Sequence, residues 1–495
     1  MRRALAALSL AAWLAGCPAA PLDRQPAPAA QSPRGFELYL PDGRIAELGE
    51  ALLEVLRADG QAELRAAIAG CAGSLDEDQT GYALPARELA LGLEEVVLSP
   101  LEGGLELRAR VAGLDEAWAL DLTPPAGAPR TCALTVRAPP RAVEAAWLLR
   151  ADVAERPALV PGQPASLGEP GVEIGLDPAC TVLDTSALVA EVAAAVEAAL
   201  RAGLDDLVAR VGVAAGGVLG LDARHAGSLE GRFRYLFQSG GAATSLSRGR
   251  LRIGLPGGFE GELDPCAPPA LAVPAPGAGE AADFADLLPG AGTPFGLALA
   301  VPRATLEQAL RVAHRAGLLC KRAGEAPLEG VSLEELLPSL STLGSLNGAR
   351  AAVWPEGAPE LSLEQPGGPE ERLPRAVVRL PGVGVDVYAD LDGADVRVLG
   401  CEAEVFLTLS PSLDADGLRV RLVEARVGNL EIGFALLPAE SGSALRQAAA
   451  ALLGRLAVVL LAGLPPLALP WPAAGRGEVL EALTDAQAVV VYLAP

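Results

Sequence analysis

Apolar side chains recur along the chain at two spacings, and the two spacings alternate in a repeated order. A short extended segment over 36–40 is followed by Ile45, Leu48, Leu52 and Val55 at helical spacing, with Asp42 placed to cap that helix. Leu105, Leu107, Ala109 and Val111 then alternate with Glu106, Arg108 and Arg110, the period-two signature of a sheet with one wet face. Trp118, Leu120 and Leu122 continue it, as do Leu134 and Val136. A long helix is predicted over 185–211, where Leu188, Val192, Val196, Leu200, Leu204, Leu207 and Val211 form one stripe with Glu191, Glu197 and Arg201 off it. Strands return at Phe233, Tyr235 and Phe237 and again at Leu251, Ile253 and Leu255.

The same order then repeats. An extended segment over 295–301 leads to a helix that Thr305 would cap, carrying Leu306, Leu310, Ala313 and Leu318. Strands are predicted over 377–380, 385–391, 396–399, 402–409 and 418–427, with Asp392-Gly393 and Asp416-Gly417 as hairpin turns. A helix over 443–464 and a strand over 489–493 close the chain. Each half reads strand, helix, antiparallel strands, long apolar helix, strand, so the expected fold class is α+β in two tandem modules. The first covers 35–266 and the second 295–495, joined by a Pro/Gly-rich linker over 267–294.

The first residues read differently from the rest. Arg2 and Arg3 precede an apolar run over 4–14, and Ala15, Gly16 and Cys17 follow, the layout of an export signal. Leu14-Ala15-Gly16-Cys17 resembles a bacterial lipobox. That resemblance implies removal of residues 1–16, lipidation of the Cys17 thiol, and a flexible tether over 17–34 rich in Pro, Ala and Gln. Pro18 stands where such lipoproteins often carry an Asp for inner-membrane retention, so the expected place is the cell envelope, at the outer membrane facing periplasm or cell surface. The most apolar later stretch, 456–464, runs into Pro465-Pro466 well short of the roughly 20 residues a spanning helix needs.

Composition narrows the function. Acids outnumber bases 62 to 39, the net charge is −23, and Lys321 is the only lysine, which excludes nucleic acid as a partner. Hydrophobic residues make up 51% of the chain, but only 5 Trp, 5 Tyr and 8 Phe are aromatic, so any apolar cavity would be walled by aliphatic side chains.

Six cysteines remain after Cys17, an even number in a chain addressed to an oxidising compartment. They allow fifteen pairings, and pairing each with its neighbour keeps every bridge inside one module. The expectation is therefore Cys71 with Cys132, Cys180 with Cys266, and Cys320 with Cys401.

The run Phe295-Gly296-Leu297-Ala298-Leu299-Ala300-Val301-Pro302, then Leu306-Glu307-Gln308-Ala309-Leu310 and Ala316-Gly317-Leu318-Leu319-Cys320, resembles a segment of the bactericidal/permeability-increasing protein-like family. In that tubular lipid-binding superfamily a highly curved antiparallel sheet wraps a long helix and lipid lies in the apolar seam. The resemblance covers 295–495, and in order of elements 35–266. It implies seams lined by Leu188, Val192, Val196 and Leu200 in the first module and by Leu452, Leu456, Val459 and Leu460 in the second. Ala193, Ala194, Ala195, Ala198 and Ala199 would either leave a slot or allow close packing. Members that capture endotoxin present a cationic tip, which this acidic chain lacks, so a neutral or weakly polar lipid is the expected ligand.

No constellation for catalysis is present. The two histidines, His225 and His314, have no nucleophile in local register, and no G-x-S-x-G, H-E-x-x-H or phosphate-binding glycine motif occurs. The acids around Asp390 and Asp414 read as turns, because the later bidentate Glu of a calcium loop is missing. The sequence thus predicts a non-enzymatic protein without metal or cofactor that binds or transfers an apolar lipid. The alternative is a structural or assembly lipoprotein with closed cores that docks an envelope protein partner.

Overall fold

The computed structural model describes residues 32–75, 80–150, 157–169, 171–178, 186–229, 232–240, 244–247, 249–267, 282–320, 350–364, 375–391, 393–414, 417–436, 442–462, 479–484 and 487–494. Cys17, the signal over 1–16 and the tether up to residue 31 lie outside them, as do Cys180 and residues 268–281 of the linker.

The chain is a mixed α/β fold of curled antiparallel sheets with few helices. Helix α1 is Asp42–Ala58, α2 is Ser186–Val218, α3 is Arg303–Arg315 and α4 is Gly442–Ala462. Strand, short helix, strands, long helix and strand follow one another in each half, as the spacing predicts.

Strands from both halves join in one central sheet. Its order is Arg224–Leu229, Phe233–Gln238, Arg250–Gly261, Ser32–Pro41, Leu297–Pro302, Ala488–Leu493 and Val479–Thr484, with Ser245–Ser247 paired beside Arg250–Gly261. Ser32–Pro41 is the hinge of this arrangement, pairing Leu38 with Ile253 on one side and with Leu299 on the other. Phe36, Leu38 and Leu40 face the main core, whereas Glu37 and Tyr39 face the opposite side. Residues 282–295 cross that opposite side as a strap: Ala282, Phe284, Leu288 and Phe295 pack on Tyr39, Val490 and Tyr492. The buried Glu37 carboxylate anchors the strap, accepting from Arg252 at 2.5 Å and from the Ala282 amide at 3.0 Å.

Two smaller sheets belong to the first half. One runs Ala158–Pro161, Arg141–Arg150, Gly104–Val111, Arg87–Leu101 and Glu63–Ile68, with Ser166–Leu167 added to Arg141–Arg150. The other runs Glu173–Leu176, Arg130–Ala138, Leu114–Thr123, Thr80–Leu84 and Cys71–Leu75. Helix α2 packs on strands of both. The second half builds one sheet from Arg350–Pro355, Arg375–Leu391, Ala394–Asp414 and Gly417–Ala435, with Glu360–Glu364 beside Arg375–Leu391. Helix α4 packs on its last two strands.

Several local expectations are corrected. Asp42 is the first helical residue, and the cap position belongs to Pro41, without a side-chain cap. Thr305 likewise lies inside α3, which starts at Arg303 after Pro302. The four strands expected over 377–409 are two, because Pro381-Gly382 is absorbed as a bulge with Gly382 at φ +73° and Leu399-Gly400-Cys401 stays within one strand. Asp390 does serve a turn, accepting from the Gly393 amide at 2.8 Å. Among the described residues no helix is long and apolar enough to cross a membrane, and no group of metal-binding side chains occurs.

Candidate functional site: the seam beside helix α2

The 33 residues of α2 span about 50 Å at 1.5 Å per residue. Alanines and leucines favour the helix, and its end is set by Gly220 at φ +74°. There the Leu221 amide bonds the Gly216 carbonyl at 2.8 Å and the Gly220 amide bonds the Gly217 carbonyl at 3.0 Å, a paired closure that only a left-handed residue permits.

Leu188, Val192, Val196 and Leu200 point into the first-half core, none more than 1% exposed. Here the protein fills its own seam. Ala199 is buried, Ala193 and Ala195 are half-buried, and Ala194 and Ala198 face outward, so the alanines do not open a slot along this stretch. Close approach continues down the helix. A Cβ on Gly203 would lie 2.1 Å from the Arg65 carbonyl oxygen, and one on Gly212 would lie 2.7 Å from Nε1 of the buried Trp147. The two glycines let strand backbone and an indole sit directly on the helix.

Polar side chains fix the helix on the sheets. Arg141, on the inner face of its strand, donates to Glu197 at 2.9 and 2.5 Å, and the Gly171 amide adds a contact at 3.3 Å. The guanidinium holds the Glu197 carboxyl below its ordinary 4.5 against the opposing effect of burial. Tyr82 donates its hydroxyl to Glu191, which with burial pushes the phenol up to about 12. Arg210 reaches the Gln61 and Glu63 carbonyls at 2.9 and 3.0 Å.

The seam opens two turns beyond the expected residues. Between α2 and the loop 161–165 lies a cavity of about 330 Å³, bounded on the helix by Asp205 and Val208. Val208 is buried and Asp205 exposed, so the opening is apolar at its base and acidic at its rim. The loop is held in place where the Gly162 amide bonds the Ala146 carbonyl at 2.8 Å. Val208 falls beside the stripe read from the sequence, and Pro161 and Pro164 mark the loop, but no spacing rule brings the two together.

In α4, Leu445, Ala448 and Leu453 are buried in a core formed with Val385, Cys401 and Val405. The side chains of Leu452, Leu456, Val459 and Leu460 lie outside the described residues. So does the His225 side chain, whereas His314 is fully buried beside the Pro355 carbonyl, and burial lowers its pKa from 6.5.

The cysteine expectation is overturned. Cys266 pairs with Cys320 across a separation of 54 residues, Cys132 is disulfide-bonded, and Cys71 and Cys401 are free thiols. Neighbour pairing fails because the central sheet brings the end of the first half against the end of α3. Asp264 marks that junction: its amide bonds the Arg315 carbonyl at 3.0 Å and its side chain accepts from Arg232 and from the Cys266 amide. Burial raises the pKa of both free thiols, that of Cys401 to about 11.

The fold has a solved counterpart. A crystal structure of lipopolysaccharide binding protein superposes with a TM-score of 0.53 at 11% identity, covering 93% of this chain and 98% of that one. The likeness is one of fold. Structures of P47 from Clostridium botulinum E1 and A2 also align over 93% of the chain at 9% and 8% identity, with TM-scores of 0.21 and 0.22. No protein-family model matches the chain, and no curated protein matches it.

Proposed function

We propose that this chain is a non-catalytic, lipid-anchored envelope protein that holds or ferries an apolar lipid between helix and sheet. The observation that carries the reading is the cavity beside Asp205 and Val208, where α2 parts from the loop 161–165 beyond the buried stripe of Leu188 to Leu200. The fold shared with a protein named for binding lipopolysaccharide supports it. In this reading the sheets of each half wrap their long helix, and α4 repeats the arrangement of α2. Binding is burial: each 100 Å² of apolar ligand surface removed from water contributes about 2.5 kcal/mol. With a net charge of −23, one lysine and an acidic residue at the rim, the ligand is a neutral or weakly polar lipid and not an anionic one. Cys17 is the lipidation site, and the acyl chains place the protein at the outer membrane.

One observation favours a second reading. Leu188, Val192, Val196 and Leu200 leave no gap between helix and sheet, as a structural lipoprotein docking an envelope partner would require. Native mass spectrometry of detergent-free protein separates the two. Removable adducts identified as lipid, reduced at least tenfold by Val208→Trp in a folded variant, support the seam. A bare mass that stays unshifted after incubation with phosphatidylethanolamine vesicles supports the closed core.

A further inference from the structure

A second cavity, of about 640 Å³, lies at the rim of the central sheet, outside the α2 seam. Four separate segments meet around it: Tyr39 of the central strand, Glu102 from the hairpin tip between Arg87–Leu101 and Gly104–Val111, the paired strand ends Ser247 and Arg250 with Gly249, and Asp286 of the strap. Its frame is rigid. Tyr39 is 2% exposed and stacks on Phe284 at 5.1 Å, and its hydroxyl donates to Asp286 at 2.5 Å. Burial, and after it Asp286, push that phenol up to about 12 against the lowering effect of the Arg250 guanidinium, so it stays a neutral donor at any ordinary pH. The hairpin tip is tied down as well, with the Gly103 amide on the Leu246 carbonyl at 2.9 Å.

Charges of both signs share this cavity. Glu102 and Arg250 both line it, and Arg250 donates to the Tyr39 hydroxyl while its remaining N–H groups stay available to a ligand. Asp286 is occupied on one oxygen by Tyr39 and keeps a second acceptor. A simple anion would meet two carboxylates here, and a simple cation would meet a guanidinium. A ligand that carries both charges a few ångströms apart satisfies both sides at once. We infer that the cavity binds a small zwitterion, its anionic oxygens on Arg250 and Ser247 and its ammonium between Glu102 and Asp286. An aminophosphate fits that description, free or as the head of a lipid. The site is separate from the α2 seam, so the inference does not depend on acyl chains entering there.

The test uses the full chain and calorimetric titration with O-phosphoethanolamine, against ethanolamine and inorganic phosphate as its two halves. The expected result is binding of the zwitterion at least tenfold tighter than of either half. Arg250→Gln and Glu102→Gln, both at exposed positions and checked for unchanged melting, should each lose about tenfold. Flotation with vesicles of phosphatidylethanolamine against phosphatidylglycerol then assigns the source. A preference for the former that both variants abolish means a lipid head, and free binding without vesicle preference means a soluble zwitterion. Equal affinity for zwitterion and halves, no binding at all, or a preference that survives both replacements overturns the inference.

Discussion

The two halves follow one order of elements but hold their long helices differently. In the first half two small sheets meet a 33-residue helix, and glycines let backbone and a tryptophan touch it directly. In the second, three strands of 17, 21 and 19 residues form most of one sheet against a 21-residue helix whose Gly454 has open space around its Cβ position. The first helix is also pinned by a buried ion pair, Arg141 with Glu197. The same plan can thus be closed by contact at glycine or built over a longer sheet, and among the described residues of the first half a cavity lies where the loop 161–165 meets the helix.

The largest expected effect comes from Gly203. Adding one methyl there forces α2 off the Glu63–Ile68 strand, so Gly203→Ala should cost about 3 kcal/mol in chemical denaturation, the upper range for overpacking. An unchanged midpoint would mean that the helix does not rest on that strand.

Next is the ion pair. Arg141→Met should cost about 2–3 kcal/mol near neutral pH, because Glu197 stays largely buried without its cation. The pair also has a pH signature. The Glu197 carboxyl titrates lower in the folded chain, so its stabilisation is present above the ordinary 4.5 and disappears as pH falls through the folded value. In Arg141→Met the part of the acid destabilisation below pH 4.5 should shrink.

The junction between the halves loses stability in a different window. His314 is held below its ordinary 6.5, so the unfolded chain binds the proton first as pH falls from 7. Stability should decline from about pH 6.5 downward, and His314→Leu should flatten that decline in melting curves between pH 7 and 5. A decline identical in the variant would assign it to other groups.

The smallest effect should have the opposite sign. Gly454→Ala meets nothing within 4 Å and removes a poor helix former, so α4 should gain about 0.5–1 kcal/mol, in contrast to Gly203→Ala in α2.

Much of this fold was legible because burial follows regular spacing. The stripe from Leu188 to Val211 and the alternation at 105–111 appear in the structure as read. What escaped reading has local causes. The strand Arg141–Arg150 points Arg141, Val143, Ala145 and Trp147 inward, and a charge in the first inward position hides the alternation until Glu197 is seen opposite it. Gly203 and Gly212, poor helix formers, are where strand backbone and Trp147 sit directly on the helix, which helical spacing alone does not reveal. The Cys266 and Cys320 bridge depends on two halves sharing one sheet, which no spacing within either half encodes. The cavity beside Val208 likewise needs a loop some 45 residues earlier in the chain to arrive at the helix.

The most direct test of the seam is photo-crosslinking with a lipid that carries a diazirine in its acyl chain, followed by peptide mapping of the full chain. Labels concentrated on the loop 161–165 and on α2 around Asp205 and Val208, competed away by unlabelled lipid, are the predicted result. Labels confined to the outer faces of the sheets, or insensitive to competitor, would contradict a ligand held between helix and sheet.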